Sequence, residues 1–452
     1  MRSIVSVILL SLPLGASASA QEDLGSRLTD LIRAVLSTDG AAGLAVVIDV
    51  GGETLFEGAH GRMHFGGDVV MAVDSSVPAA CLMELFTSLL ALQQIDQGSL
   101  DDQNPLASYV KGLEWKGERV SMHHLLTHTS GVAPISGVTD KLRAVEALFR
   151  RSDLWKRVAD QPLLSTPGSC QSFNGTNTYL AGKVLEELTG EALPDLIVKL
   201  LLDPLELGGT GYSADAAVQL DESAYYVDCA GMQAEDPNGI GRFGAAGLVT
   251  TASDLVRIMR GIADQELVSR RAWAHLSGTH KLKDGQALNY AHGLSRTSVD
   301  SFAGLAFGGA NGHERVRVTY YPGLDLTLAM TADCGPGVLP ELTDRLVREV
   351  FDLPLIHISD RSMPAGSQGI YLGTYLDGCN RLDLRDAGDK HLLLVSEARP
   401  DLRLLYQGGH EFVAESDPGL RLVFQVDGDQ ARSFVLSMHG TDTLAVRLHE
   451  DD

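Results

Sequence analysis

The amino-acid sequence predicts an α+β fold, in which helices flank an antiparallel sheet and a small antiparallel β-barrel follows at the C-terminus. Strand patterns at residues 43–56 and 315–330 bracket a helical middle, which is typical of one sheet built from both ends of a domain. Beyond Pro364 the pattern changes to short alternating strands, which indicates a separate β-rich unit. We therefore expect a main domain over residues 21–360 and a small domain over residues 365–452.

Hydrophobic periodicity places the elements of the main domain. A helix is predicted over residues 22–36, followed by a β-hairpin that turns at Gly51-Gly52. Residues 81–97 are apolar almost all round a helix, which is typical of a buried central helix. Further helices are predicted over residues 122–128, 140–151, 176–188 and 253–263.

The first twenty residues have the features of a secretory signal. Arg2 precedes an apolar stretch over residues 4–14, and Ala18-Ser19-Ala20 resembles a cleavage site. No later run reaches the roughly 18 apolar residues that a transmembrane helix needs. We therefore predict a signal peptide at residues 1–20 and a periplasmic or secreted protein without membrane insertion. The formal charge of −23 would repel phosphates, so no nucleic acid is expected as a partner.

Several short motifs occur in a characteristic order between residues 43 and 333. They include Gly98-Ser-Leu-Asp-Asp-Gln-Asn-Pro105, His124-Leu-Leu-Thr-His-Thr-Ser-Gly131 and Ala246-Gly-Leu-Val-Thr-Thr-Ala-Ser-Asp-Leu255. Together they resemble the serine β-lactamase/penicillin-binding-protein superfamily, in particular its class C β-lactamase, esterase and D-aminopeptidase branch. The resemblance implies acyl transfer by a serine, with three catalytic motifs: Ser-x-x-Lys, Tyr-x-Asn and His-x-Gly or Lys-Thr-Gly.

None of these three motifs is intact in this chain. Cys81 stands at the serine position and Glu84 at the lysine position. The Tyr-x-Asn motif is replaced by a stretch that begins with Phe173 and ends with Gly175, and Phe307 stands at the histidine of the third motif. The resemblance therefore implies five degenerate catalytic positions that lack the expected proton-carrying groups.

Three neighbouring residues are predicted to contact a ligand. Asn174 lies one place from the expected amide, and Gly308 and Gly309 would let a ligand approach the strand backbone. No cofactor is expected. No metal site is predicted either, because the chain has no Cys-x-x-Cys spacing and because His124 and His128 lie in a motif that the resemblance implies to be structural.

The thiol of Cys81 has three possible roles. A small buried hydrophobe is the first, since unpaired cysteines are often buried. The resemblance implies a second, a disulfide with Cys170, because the family fold brings their motifs together. The third is a nucleophile, but the Glu84 carboxylate one turn away favours the neutral thiol, and a proton transfer to Glu84 would cost roughly 5.7 kcal/mol.

These observations predict an exported pseudoenzyme. It would bind a small-molecule or peptidoglycan-like ligand, an acyl compound or a partner protein without catalysing a reaction. One alternative is a hydrolase, an esterase or amidase that uses Cys81. The other is a structural protein of the cell envelope.

Overall fold

The computed structural model describes residues 18–38, 42–63, 68–79, 82–115, 117–134, 154–212, 248–310, 314–332, 339–354, 358–364, 366–388, 390–396, 399–438 and 441–448. The first helix, α1, is Ala18–Thr38, and it includes the predicted helix over residues 22–36. The hairpin follows as β1 (Gly43–Val50) and β2 (Glu53–Gly61). The predicted helix over residues 140–151 lies outside the described residues.

The main sheet is antiparallel, and strands from both ends of the domain form its centre. Besides β1 and β2 it contains β6 (Tyr290–Ala291), β7 (Leu294–Val299), β8 (Phe302–Ala310), β9 (Glu314–Tyr321) and β10 (Leu326–Ala332). The seven strands have the order β2-β1-β10-β9-β8-β7-β6. In the central pair β1 and β10, Leu44 lies opposite Ala332. The predicted α+β architecture with a sheet built from both ends is confirmed.

Helices cover both faces of this sheet. Successive β1 side chains point to opposite faces, so Ala45 and Val47 join one hydrophobic core while Val46 and Ile48 join the other. The helix α1 packs with the last helix on the second face. The helices after α1 are α2 (Leu82–Asp96), α3 (Met122–Leu126), α4 (Leu154–Ala159), α5 (Gly175–Thr189), α6 (Leu193–Ile197), α7 (Ala252–Ala263), α8 (Arg270–Leu276) and α9 (Leu339–Val350).

The helix α2 is the buried centre of the hydrophobic core that contains Ala45 and Val47. Twelve of its fifteen residues are buried, and it contacts α5, α6, α8 and strand β8. Burial of each large apolar side chain contributes about 1.5–3 kcal/mol, so this helix has little freedom to move. A small sheet of β3 (Val77–Pro78), β5 (Leu248–Thr250) and β4 (Gly211–Tyr212) lies next to its start. The start of α2 is therefore a rigid position for functional side chains.

The C-terminal unit is a closed antiparallel barrel of eight strands, and the predicted small antiparallel β-barrel is confirmed. Alternating side chains fill its interior, and Tyr371, Phe412, Phe424 and Phe434 are among them. The strands are β11 (Gly373–Asp377), β12 (Asn380–Asp386), β13 (Leu392–Ser396), β14 (Arg399–Gly408), β15 (Glu411–Ala414), β16 (Asp417–Asp427), β17 (Gln430–Met438) and β18 (Thr441–Arg447).

A disulfide joins the barrel to the main domain. It links Cys170 to Cys379, with 5.7 Å between the Cα atoms. The hypothesis of a disulfide between Cys81 and Cys170 is therefore wrong. Cys379 lies in the turn between β11 and β12, and this turn packs beside the segment that precedes α5. The two cysteines are 209 positions apart, and their pairing depends on how the two domains meet.

Candidate functional site

The candidate site lies at the first turn of α2, where the family motif begins. Glu84 is in this turn, and only 3% of its surface is exposed. Cys81 lies outside the described residues, so its prediction as a degenerate catalytic position stays a prediction. Next to it, the Leu82 N–H donates to the Ala79 carbonyl, and the Ala79 N–H donates to the Leu248 carbonyl of β5. These bonds attach the start of α2 to the small sheet.

Two side chains hold the buried Glu84 carboxylate. The Tyr290 hydroxyl on β6 donates a hydrogen bond to Oε2. The same oxygen lies 3.6 Å from Nε2 of His128. The position predicted to correspond to the family's lysine therefore carries a hydrogen-bond acceptor, and the protein itself supplies its donor.

A tight turn brings Tyr290 to this carboxylate. Gly293 has φ = +81°, and a Cβ added to it would lie 2.6 Å from the backbone N and Cα of Leu85. Only glycine lets the turn between β6 and β7 approach the α2 backbone this closely. Tyr290, three residues earlier, consequently reaches the first turn of α2.

The hydrogen bonds of His128 fix its tautomer. Its Nδ1 accepts from the Asn174 backbone N–H at 3.1 Å, and the Asn177 amide lies 3.1 Å from the same atom. The Oδ1 of Asn177 accepts from the Ser130 hydroxyl, so its NH₂ group faces His128 and donates. Because a backbone N–H can only donate, Nδ1 has no proton, and the neutral ring carries its proton on Nε2, which faces Glu84.

Phe173 covers this network from the solvent side. Its ring stacks on His128 with 4.7 Å between the ring centroids, and it meets Tyr290 edge to face at 5.7 Å. The side chain is 52% exposed, which is unusual for a large hydrophobic residue in the described part of the chain. Phe173 therefore presents an apolar surface without a hydroxyl at the position predicted to correspond to the family's tyrosine.

Asn174 and Gly175 begin helix α5. The Asn174 side chain caps the helix by accepting from the Thr176 N–H at 2.9 Å, and its NH₂ group donates to the Val132 carbonyl at 2.7 Å. Gly175 is the first helical residue and has no side-chain amide. The structure thus gives Asn174 a structural role, whereas its predicted contact with a ligand stays a prediction.

The third motif lies on β8. Phe307 is only 2% exposed and belongs to the hydrophobic core. Gly308 is exposed and pairs with Arg317 of β9, and Gly309 pairs with Val316. The strand therefore keeps an accessible backbone at Gly308 but offers no imidazole.

Two important residues were missed by sequence reasoning. Tyr290 lies 206 positions from Glu84, and no spacing rule relates the two. His128 is weighed in the sequence as a metal ligand with His124 and interpreted as structural, and its contact with Glu84 cannot be inferred from its position in the motif. Only the packing of β6 and α3 against α2 brings these groups together.

The chemical capacity of this arrangement is limited. A thiol or hydroxyl nucleophile needs a base with a free lone pair within hydrogen-bond reach. Nδ1 of His128 already accepts from two N–H groups, Nε2 carries the proton, and Glu84 accepts from Tyr290. Backbone N–H groups could still stabilise an oxyanion, since this function does not depend on side-chain identity. The network of Glu84, Tyr290 and His128 is thus better suited to fixing the positions of these side chains than to transferring protons.

Comparisons with known proteins agree with these motifs. A family model described as Beta-lactamase matches residues 28–350. Penicillin-binding protein 4 from Amycolatopsis lactamdurans is 26% identical over 328 residues, which cover 68% of this chain and 84% of that protein. D-alanyl-D-alanine-carboxypeptidase/endopeptidase AmpH from Escherichia coli K12 is 24% identical over 235 residues, or 51% of this chain and 60% of that protein.

A solved structure shows the same fold. The octameric penicillin-binding protein homologue from Pyrococcus abyssi has a TM-score of 0.62 and 17% identity, and the match covers 93% of this chain and 99% of that one. The relatives matched by sequence include an enzyme named as a hydrolase, the carboxypeptidase AmpH. The serine β-lactamase/penicillin-binding-protein resemblance is confirmed.

Proposed function

Because the chain belongs to the β-lactamase family, whose model matches residues 28–350, we propose that it is an exported, non-catalytic member that binds a ligand without turning it over. The ligand would be peptidoglycan-like or another acyl compound. The observation that carries the proposal is the state of Glu84. A buried carboxylate, bonded to Tyr290 and facing His128, replaces the amine that would activate the nucleophile.

The surroundings of Glu84 support the loss of catalysis. Rescue of a missing lysine would need another base, and His128 is the nearest imidazole to Glu84 in the described part of the chain. Its Nδ1 accepts from two amide groups, and its Nε2 proton points to Glu84. A catalytic histidine instead presents one nitrogen to the nucleophile and the other to an orienting group. His128 therefore acts as a positioning residue.

Two features support export. The first twenty residues have the pattern of a signal peptide. The Cys170–Cys379 disulfide is of a kind that persists in oxidising compartments such as the periplasm. None of the helices among the described residues is long and apolar enough to cross a membrane.

The retained parts of the cleft support ligand binding. Gly308 is exposed on β8, where an extended ligand could pair with the strand backbone. Phe173 is half exposed and held in place by stacking on His128, so it can pack against an apolar group of the ligand. A partner protein that inserts a peptide into the same cleft is the alternative occupant.

A combined turnover and binding experiment tests the proposal. Purified protein is incubated with an ester, a β-lactam, a D-amino-acid amide and a D-alanyl-D-alanine peptide, with Cys81→Ala as the matched control. We expect equal background hydrolysis for both proteins. We also expect saturable binding of at least one compound, measured by calorimetry, and weaker binding by Phe173→Ala.

Two results would overturn the proposal. Turnover that disappears in Cys81→Ala would establish the alternative of a thiol hydrolase. Absence of binding by every compound would remove the small-molecule ligand. Glu84→Lys is informative in both cases, because it replaces the carboxylate with the family's amine.

A further inference from the structure

A cluster of histidines lies in the main domain, outside the group formed by Glu84, Tyr290 and His128. His123 is on α3, His275 is on α8, and His280 follows α8 in the next loop. Each of the three imidazoles offers a ring nitrogen, and these atoms all lie within 4.8 Å of one another. The proposed function uses none of these residues.

We propose that His123, His275 and His280, together with the carboxylate of Asp102, form a binding site for a divalent transition-metal ion of the zinc type. Imidazole nitrogens and one carboxylate make up a typical donor set for Zn²⁺. With bonds of about 2.0–2.1 Å, a tetrahedral ion needs roughly 3.3 Å between its ligand atoms. Small side-chain rotations would bring the three nitrogens to that spacing.

The position of Asp102 is the first support. Its Oδ2 lies 3.7 Å from Nδ1 of His123 and 3.9 Å from Nε2 of His275. Both distances are too long for hydrogen bonds, yet they are close to the spacing of neighbouring ligands around one ion. The Asp102 carbonyl also accepts from the His123 N–H at 2.9 Å, which keeps the two residues together.

Unused nitrogen atoms are the second support. Nδ1 of His123 and Nε2 of His275 are buried and have no hydrogen-bond partner. Buried polar groups without partners are rare because their desolvation costs free energy. A metal ion between these atoms would supply the missing partner for both.

His292 provides an independent observation. It is fully buried, and neither of its ring nitrogens has a hydrogen-bond partner. Its ring lies 4.7 Å from that of His280 and 4.9 Å from that of His275, measured between centroids. A fourth imidazole without hydrogen-bond partners thus packs against two of the proposed ligands.

The tautomer of His280 suits a metal. Nε2 of His280 lies 3.0 Å from the His275 carbonyl, so it carries the proton and leaves the lone pair on Nδ1. Nδ1 of His280 can therefore act as a ligand atom, because a neutral imidazole binds a metal through its unprotonated nitrogen.

Such an ion would also stabilise the elements that surround the candidate site. It would connect α3, which leads to His128, with α8 and with the loop that contains Asp102. The His292 N–H donates to the Leu126 carbonyl, and this bond links the turn after Tyr290 to α3. The metal would therefore fix the elements that carry both partners of Glu84. This inference does not depend on the proposed function.

Titration of the EDTA-treated full-length protein with ZnCl₂ tests the site. We expect one ion per chain by calorimetry and by elemental analysis after dialysis. Asp102→Asn should weaken binding by about 10–100-fold, and His275→Gln and His280→Gln should weaken it at least as much. Added Zn²⁺ should raise the melting temperature of the wild type and leave that of the triple variant His123→Gln/His275→Gln/His280→Gln unchanged.

Two controls separate this site from other donors. His60→Gln, on β2 at the opposite edge of the sheet, should bind Zn²⁺ as the wild type does. The Co²⁺ complex should show no sulfur-to-cobalt charge-transfer band, which excludes the cysteines outside the disulfide as ligands. The proposal is overturned if the wild type binds no stoichiometric ion, or if a triple variant with wild-type circular dichroism binds Zn²⁺ equally well.

Discussion

Removal of the Tyr290 hydroxyl tests whether the Glu84 network holds the site together. In Tyr290→Phe the ring remains, but the buried carboxylate loses its donor. Hydrogen bonds to charged groups contribute about 1.5–3 kcal/mol, and Glu84 is only 3% exposed, so water cannot easily replace the phenol. We expect the free energy of unfolding to fall by about 2–3 kcal/mol.

Urea unfolding followed by tryptophan fluorescence measures this loss in the right domain. The three tryptophans, Trp115, Trp155 and Trp273, all lie in the main domain, so the signal does not report the barrel. Tyr109→Phe is the matched control, because its hydroxyl bonds the Asp101 backbone at an exposed position. That change should cost no more than about 0.5 kcal/mol.

A double-mutant cycle assigns the loss to Glu84. In a Glu84→Met background, Tyr290→Phe should cost much less than in the wild type, with a coupling energy of at least about 1 kcal/mol. The reasoning is refuted if Tyr290→Phe costs less than about 0.5 kcal/mol, or if its full cost persists when Glu84 is absent.

Three further predictions concern other parts of the molecule. Non-reducing peptide mapping should recover Cys170 linked to Cys379, and the double alanine variant should lose about 2–5 kcal/mol of stability; a map in which Cys170 pairs with Cys81 would contradict the structure. Gly293→Ala should lower the melting temperature far more than Gly285→Ala, because both glycines have positive φ but only the first would place a Cβ against the Leu85 backbone; equal losses would rule out that contact. Burial raises the pKa of Tyr371 to about 12 from its ordinary value of 10.0. The protonated phenol therefore contributes fully to the free energy of unfolding below pH 10, and this contribution is lost as the pH rises through 12. Between pH 9 and 12 the wild type should lose about 2 kcal/mol more than Tyr371→Phe in thermal melts, and parallel losses would contradict this.

Local patterns were sufficient to predict most of the architecture. The apolar run of α2, the hairpin of β1 and β2 and the strands of the barrel each follow from the periodicity of neighbouring residues, since a buried helix or strand needs apolar side chains at regular spacing. The assignment of Glu84, Phe173 and Phe307 to degenerate catalytic positions also depends on local pattern, because the flanking motifs set the register, and it stays a prediction.

Contacts between distant segments could not be read in the same way. The Cys81–Cys170 hypothesis was wrong because the true partner of Cys170, Cys379, lies in the barrel, 209 positions away, and no local pattern relates the two. The histidines of the proposed metal site were not recognised because His123 and His275 are far apart in the chain and no short motif includes both.

The sequence by itself thus determined the alternation of strand and helix blocks and the β-rich unit that follows, and it predicted which positions of the family motifs are degenerate. Both depend on residues close together in the chain, whose spacing decides which side chains share a face. Only the tertiary structure decided what surrounds Glu84, which cysteines pair and which imidazoles meet Asp102. These depend on the packing of separate elements, which brings side chains from distant parts of the chain together only after the chain has folded.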